Sequence, residues 1–231
     1  MVLAIEDGGG RIDSDYGTIG LGAVGGGHLR SGFAAAIAAK APALAGEGCA
    51  VTAPSLIGTA SVDAERPRFS GPLRFEQFDC GERGAALASS RLGLALTGDR
   101  ALTGVDGDVT LDLGAGNYGE TRLAGLGGDA ELTYREGALT ARYRLDGGAM
   151  QSPFAQAAEI GSEGLIRARR GFARIEVEGN VAVRTLRPGT RADAVLASAE
   201  TSSAGTLLAP LLANVRAGLA QASRASTFAA D

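Results

Sequence analysis

The sequence predicts an all-β protein: a long antiparallel, curved, groove-like sheet of many short strands, ending in C-terminal amphipathic helices. Three observations predict it. Between Gly107 and Asp146 apolar and polar residues alternate in short runs, with Val109, Leu111 and Leu113 set against Asp108, Thr110 and Asp112. Leu139, Ala141, Tyr143 and Leu145 likewise alternate with Thr140, Arg142, Arg144 and Asp146. A period of two places alternate side chains on opposite faces of a strand, so one face is apolar and the other solvated. Glycine is the punctuation, at 36 of 231 residues. Third, no strand–helix–strand alternation occurs, which excludes a doubly wound parallel sheet.

In chain order, strands are predicted near residues 2–7, 12–24, 28–38, 48–53, 55–63, 68–79 and 85–97, and then near 101–113, 119–124, 129–136, 138–146, 154–169 and 172–185. Asp106-Gly107, Gly127-Gly128 and Gly147-Gly148 are the turn signals between several of them. After Pro188 the period of two is lost. Arg191 to Thr201 and Thr206 to Ser223 are alanine-rich, and in the second segment Leu208, Leu211, Leu212, Val215, Leu219 and Ala222 recur at helical spacing. Pro210 falls in that helix's first turn, where a missing amide is tolerated. The chain therefore divides into a β-meander over residues 1–188 and a helical cap with its tail over residues 189–231.

Aromatic residues make up 5% of the chain and tryptophan is absent, so small aliphatic side chains must form a thin apolar layer. The formal net charge of −4 disfavours a polyanion partner, and no nucleic acid is expected to bind. The basic cluster Arg167, Arg169 and Arg170 reads as part of a solvated strand face, because Arg167 and Arg169 alternate with Ile166 and Ala168. The opening MVLAIEDGGG lacks the basic and apolar regions of a secretory signal. The apolar stretch from Ser31 to Gly46 is broken by Lys40 and Pro42, short of the ~20 residues a bilayer crossing needs. Strand-like residues directly after Met1 are what a segment of a longer protein would show.

No motif amounts to a catalytic signature. Gly20, Gly22 and Gly25 spell G-x-G-x-x-G, as do Gly114, Gly116 and Gly119, but neither follows a buried strand and opens a crossover helix. Asp13 with Asp15 and Asp106 with Asp108 are paired carboxylates without the further oxygen ligands that calcium needs nearby. His28 is the single histidine, and no serine sits in a G-x-S-x-G elbow. Tyr16, Tyr118, Tyr134 and Tyr143 are scattered, as sheet packing requires rather than base stacking. No enzyme activity, metal or cofactor is expected. Cys49 and Cys80 are either a disulfide or two buried thiols; a bridge closing that loop would add roughly 3.5 kcal/mol by the chain-entropy estimate.

The run SGPLRFEQFDCGERG (Ser70 to Gly84), the run LTGVDGDVTLDLGAG (Leu102 to Gly116) and the closing segment from Gly179 to Leu219 resemble the AsmA-like superfamily of bacterial envelope proteins, the YdbH-type and TamB-related intermembrane phospholipid transport proteins in particular. The likeness is to a C-terminal-side section. It implies a periplasmic groove with an apolar floor that shields phospholipid acyl chains between inner and outer membranes, with lipid and envelope proteins at the two membranes as partners. It also implies a membrane anchor elsewhere in the parent protein. In a periplasmic setting the Cys49 to Cys80 bridge gains plausibility. The groove lining is then expected at Leu92, Leu94, Leu96, Val109, Leu111, Leu113, Leu132, Tyr134, Leu139, Tyr143, Leu145, Ile175 and Val177. For these same residues a closed core beneath helices or a second sheet is the competing expectation. At the level of function, the competitor is a non-catalytic structural or adhesive β-solenoid scaffold, marked by a fixed repeat period.

Overall fold

The computed structural model describes residues 1–169, 173–189 and 191–203, together with the single positions 214, 217, 218 and 221. Arg170 and, apart from those single positions, the predicted helix over 206–223 lie outside the described residues. The fold is all-β. In chain order the strands are β1 (Val2–Ser14), β2 (Gly17–His28), β3 (Phe33–Lys40), β4 (Ala43–Gly46), β5 (Cys49–Thr52), β6 (Ser55–Asp63) and β7 (Arg66–Phe75). Next come β8 (Gln77–Cys80), β9 (Ala85–Leu87), β10 (Ser90–Gly98), β11 (Gly104–Leu113), β12 (Gly116–Tyr118), β13 (Thr121–Leu123) and β14 (Leu126–Arg135). The last are β15 (Ala138–Gly147), β16 (Met150–Gln151), β17 (Ala155–Ala157), β18 (Glu159–Arg169), β19 (Arg174–Arg184) and β20 (Arg187–Pro188), after which comes a short helix, α1 (Ala192–Ser202).

Two open antiparallel sheets result. One has eleven strands in the order β1-β2-β3-β6-β7-β10-β11-β14-β15-β18-β19, and the other nine in the order β20-β17-β16-β13-β12-β9-β8-β5-β4. From β3 onward each excursion of the chain is one long strand bent in its middle, with its longer half in the first sheet and its shorter half in the second. The bent units 33–46, 49–63, 66–80, 85–98, 104–118, 121–135, 138–151, 155–169 and 174–188 are of near-constant length. Every pairing is antiparallel, so the chain meanders up and down across a V rather than stacking coil on coil. Most bends fall at small residues or prolines, with Glu76 and Thr185-Leu186 the exceptions, and the ladder runs through them. Ala41 N–H donates to the Pro54 carbonyl and Ala53 N–H to the Pro42 carbonyl. At later bends Ala88 N–H donates to the Ala115 carbonyl and Ala124 N–H to the Ala149 carbonyl. A strand crowded with branched side chains could not fold across itself there; alanine and glycine leave room.

Three of the tight turns have both central residues at positive φ, the primed geometry that matches strand twist. They are Glu47-Gly48 (51° and 75°), Glu136-Gly137 (47° and 82°) and Ala64-Glu65 (50° and 63°). The expected glycine turns are corrected in part. Asp106-Gly107 lies inside β11 and Gly127-Gly128 inside β14; Gly147-Gly148 marks the bend between β15 and β16. The glycines inside strands make space instead of turns. A Cβ on Gly107 would fall 2.5 Å from Leu96 Cδ2, whose side chain lies across it, and one on Gly128 would fall 2.2 Å from the Arg144 carbonyl oxygen and 3.0 Å from Leu145 Cδ2, where the neighbouring backbone comes close. At the N-terminus the Gly8–Gly10 run, read as a break between strands, is carried within β1 past an irregularity between Ile5 and Gly8, and the true turn comes at Asp15-Tyr16.

The core is thin. Among the described residues the buried apolar ones are Ala35, Ala41, Cys80, Ala157 and Ala168, and no large side chain is fully buried.

Candidate functional site: an apolar trough between two sheets

Directly opposed residues of an antiparallel ladder share a face, so the strand registers fix which side chains stand together. One row of the larger sheet reads, from β1 to β19, Gly10, Leu21, Ala39, Leu56, Leu73, Leu92, Leu111, Gly128, Leu145, Ser162 and Val181. Two residues further from the bend the row includes Leu94, Val109, Ala130, Tyr143, Gly164 and Gly179. The next includes Phe69, Leu96, Gly107, Leu132, Ala141, Ile166 and Val177. Furthest out lie Val105, Tyr134, Leu139, Ala168 and Ile175, and closest to the bend lie Leu113, Leu126, Gly147, Ile160 and Val183. All of the lining positions read from the sequence thus fall on one face of one sheet. Those on β10, β11, β14 and β15 are half-buried, whereas Ile175 and Val177 on the edge strand β19 are 61% and 62% exposed.

The opposite face is charged. Arg142 pairs with Glu131, Arg144 with Glu163, and Arg167 with Glu178 at 2.9 Å. Arg135 grips Asp106 through Nη2 at 2.7 Å, and Arg66 approaches the same carboxylate at 3.7 Å. The Arg135 guanidinium is the main reason the Asp106 carboxyl is held below the usual aspartate range. Asp13 is likewise lowered by hydrogen bonds from Thr18 and Arg11. Both aspartates that begin the paired-carboxylate motifs are therefore occupied with strand neighbours, and among the described residues no group of three histidine, cysteine or acidic side chains is placed to hold a metal.

The second wall escaped the sequence reading. In the smaller sheet the registers align Leu44, Val51, Phe78, Leu87, Gly116, Leu123, Met150 and Ala157 in one row. This row faces the apolar side of the larger sheet. Leu87, Leu123 and Met150 of one wall line a cleft of ≈ 350 Å³ together with Leu126, Gly147 and Ile160 of the other. Leu123 Cδ1 and Leu126 Cδ1 both stand 3.5 Å from where a Gly147 Cβ would be, so leucines from the two walls meet over a glycine at the bend. A second hollow of ≈ 570 Å³, over Ile5, Gly8, Gly10, Leu21, Ile37 and Leu56, opens where the floor is mostly glycine and alanine. The second sheet thus makes a wall and not a lid.

Cys49 and Cys80 form a disulfide that ties β5 to β8 across the smaller sheet, with their Cα atoms 4.0 Å apart. It stands beside Tyr16, Leu44 and Val51 in a further hollow at the end of that wall away from the bend. Within the larger sheet Tyr143 lies across Gly164 and Gly179, with Oη 2.9 Å from both Cβ positions, and Ser162 Oγ donates to Tyr143 Oη at 3.4 Å. An aromatic ring covering two glycines in this way seals the backbone where the floor would otherwise be bare.

No helix among the described residues is long and apolar enough to cross a membrane. No known protein family, no curated protein and no solved structure matches the chain.

Proposed function

We propose that this chain is a section of a lipid conduit of the AsmA-like, YdbH-type kind, whose trough shields phospholipid acyl chains as they pass between inner and outer membranes across the periplasm. The observation that carries the reading is the trough itself: two apolar sheet faces converge on a bend, stay half-exposed along their length, and have no covering element among the described residues. Acyl chains would complete this core, at ~0.8 kcal/mol for each methylene removed from water. On this floor the Tyr143 and Ser162 hydroxyls bond to each other and the stretch from Leu73 through Leu92 to Leu111 is aliphatic, so a chain in it can slide along the rows, and no bond needs to be made or broken. The cross-strand disulfide suits an oxidising compartment such as the periplasm. Envelope proteins at the two membranes are the partners this reading implies.

The test is face-specific photocrosslinking. A photoreactive amino acid at Leu111 points into the trough, and one at the neighbouring Thr110 points to solvent from the charged face. In cells, lipid adducts are expected at position 111 and not at 110. Equal labelling at both, or none at either, would sink the lipid reading and favour a scaffold role in which the sheet carries no ligand.

A further inference from the structure

The two edges of the larger sheet are not alike. β1 carries the irregularity between Ile5 and Gly8, with Glu6 and Asp7 within it, a device that blunts an edge against pairing. β19 has none: its register with β18 is unbroken from Glu159↔Arg184 to Arg169↔Arg174, and among the described residues no strand pairs with its outer side. Between Arg174 and Arg184 it holds no proline and no lysine. It also carries exposed Ile175, Val177 and Val181 on the apolar face. An edge this long and regular is a template for another strand.

The sequence of β19 identifies which strand fits. We infer that β19 pairs antiparallel with β19 of a second copy of this chain about a two-fold axis through Gly179. In that register Val177 faces Val181 and Ile175 faces Val183, so the apolar face runs on without a break. On the charged face Glu178 meets Asn180 and Glu176 meets Ala182, and no acid faces an acid. The one like-charged pairing, Arg174 with Arg184, falls at the two ends, where each arginine already has an acid of its own chain: Glu176 for Arg174 and Glu159 for Arg184. Glycine suits the centre, since the Gly179 floor is covered by Tyr143 from the same chain. A two-fold interface needs this self-complementarity, in which each residue meets its partner twice. The inference does not depend on what the trough carries.

Engineered cysteines test the register. Val177→Cys and Val181→Cys together bring one introduced thiol against the other across the axis, so the double variant should form a covalent dimer under mild oxidation. Either single variant should not, because a residue and its own copy are then four positions out of register. Sedimentation of the unmodified protein should show a concentration-dependent dimer. Val177→Lys with Val181→Lys should return it to monomer and melt at the temperature of the parent diluted to monomer, since both side chains are solvent-exposed in the single chain, whereas the parent should melt higher at dimer-forming concentrations. A protein that stays monomeric at every concentration, a dimer indifferent to the lysines, or crosslinking by a single variant would each overturn the proposal.

Discussion

Replacing Leu111 by aspartate puts a carboxylate in the middle of the trough floor, between Leu92 on β10 and Gly128 on β14. Full burial of a leucine contributes about 1.5–3 kcal/mol, and Leu111 is half-buried, so truncating its apolar contacts should cost about 1 kcal/mol. For a chain of this size that lowers Tm by about 2–4 °C. The new carboxylate stays hydrated because the trough is open, so no larger penalty arises in the empty protein. Lipid held in the trough as proposed should be affected differently. A hydrated carboxylate holds roughly three methylenes of an acyl chain in water, at ~0.8 kcal/mol each, a loss of about 2.4 kcal/mol or about fifty-fold in affinity. The assay pairs thermal melting with titration of a fluorescent phospholipid. If Leu111 stood in a dry closed core, the same change would bury an unpaired charge and cost more than about 4 kcal/mol, enough to unfold the chain. Collapse of the fold, or unaltered lipid affinity in a well-folded variant, would refute the reasoning.

Other perturbations separate the parts of the account. Gly10→Leu adds a side chain beneath the larger hollow, where only Leu21 Cβ comes as near as 4.0 Å, so it should leave Tm unchanged and reduce phospholipid uptake. Gly164→Leu has no such room, with the Glu178 carbonyl oxygen 2.3 Å and Tyr143 Oη 2.9 Å from its Cβ, and should lower Tm sharply. Replacing Cys49 and Cys80 by serine opens a loop with a sequence separation of 31, and urea melts should show a loss of roughly 3.5 kcal/mol in the oxidised protein alone. Asp106 has a folded-state pKa below its unfolded one, so its contribution is full above the unfolded value and is lost as pH falls through the folded value. Asp106→Asn should therefore flatten the acid limb of the stability profile below about pH 4 and leave the neutral limb parallel to that of the parent.

The region 107–146 was the most legible because alternation there is nearly unbroken: β11, β14 and β15 lie close to the predicted 101–113, 129–136 and 138–146. The same alternation placed the lining side chains on a common face before any register was known. The bends were not legible. The alternation over 68–79 predicts one strand, whereas β7 and β8 belong to different sheets. At Glu76, or at Gly114-Ala115, the only local sign is a small or polar residue that slips the period by one. With the bends went the second wall, since Leu87, Leu123 and Met150 sit in strands of two or three residues, too short to show a period. Glycine misled in both directions. Gly107 is a space under a leucine, Gly128 is one where the neighbouring backbone comes close, and Gly8–Gly10 is a strand segment held by its pairing with Leu21, Gly22 and Ala23, a tertiary contact that outweighs local preference. Whether Cys49 and Cys80 meet depended on β5 pairing with β8, a fact of topology that spacing does not contain.

Native mass spectrometry of the protein purified gently from a bacterial envelope fraction asks whether lipid occupies the trough. Co-purifying phospholipid, released on activation and depleted in the Leu111→Asp variant, is the expected result. A stably folded protein that carries no lipid under those conditions would rule out the conduit and leave the open sheets as a scaffold.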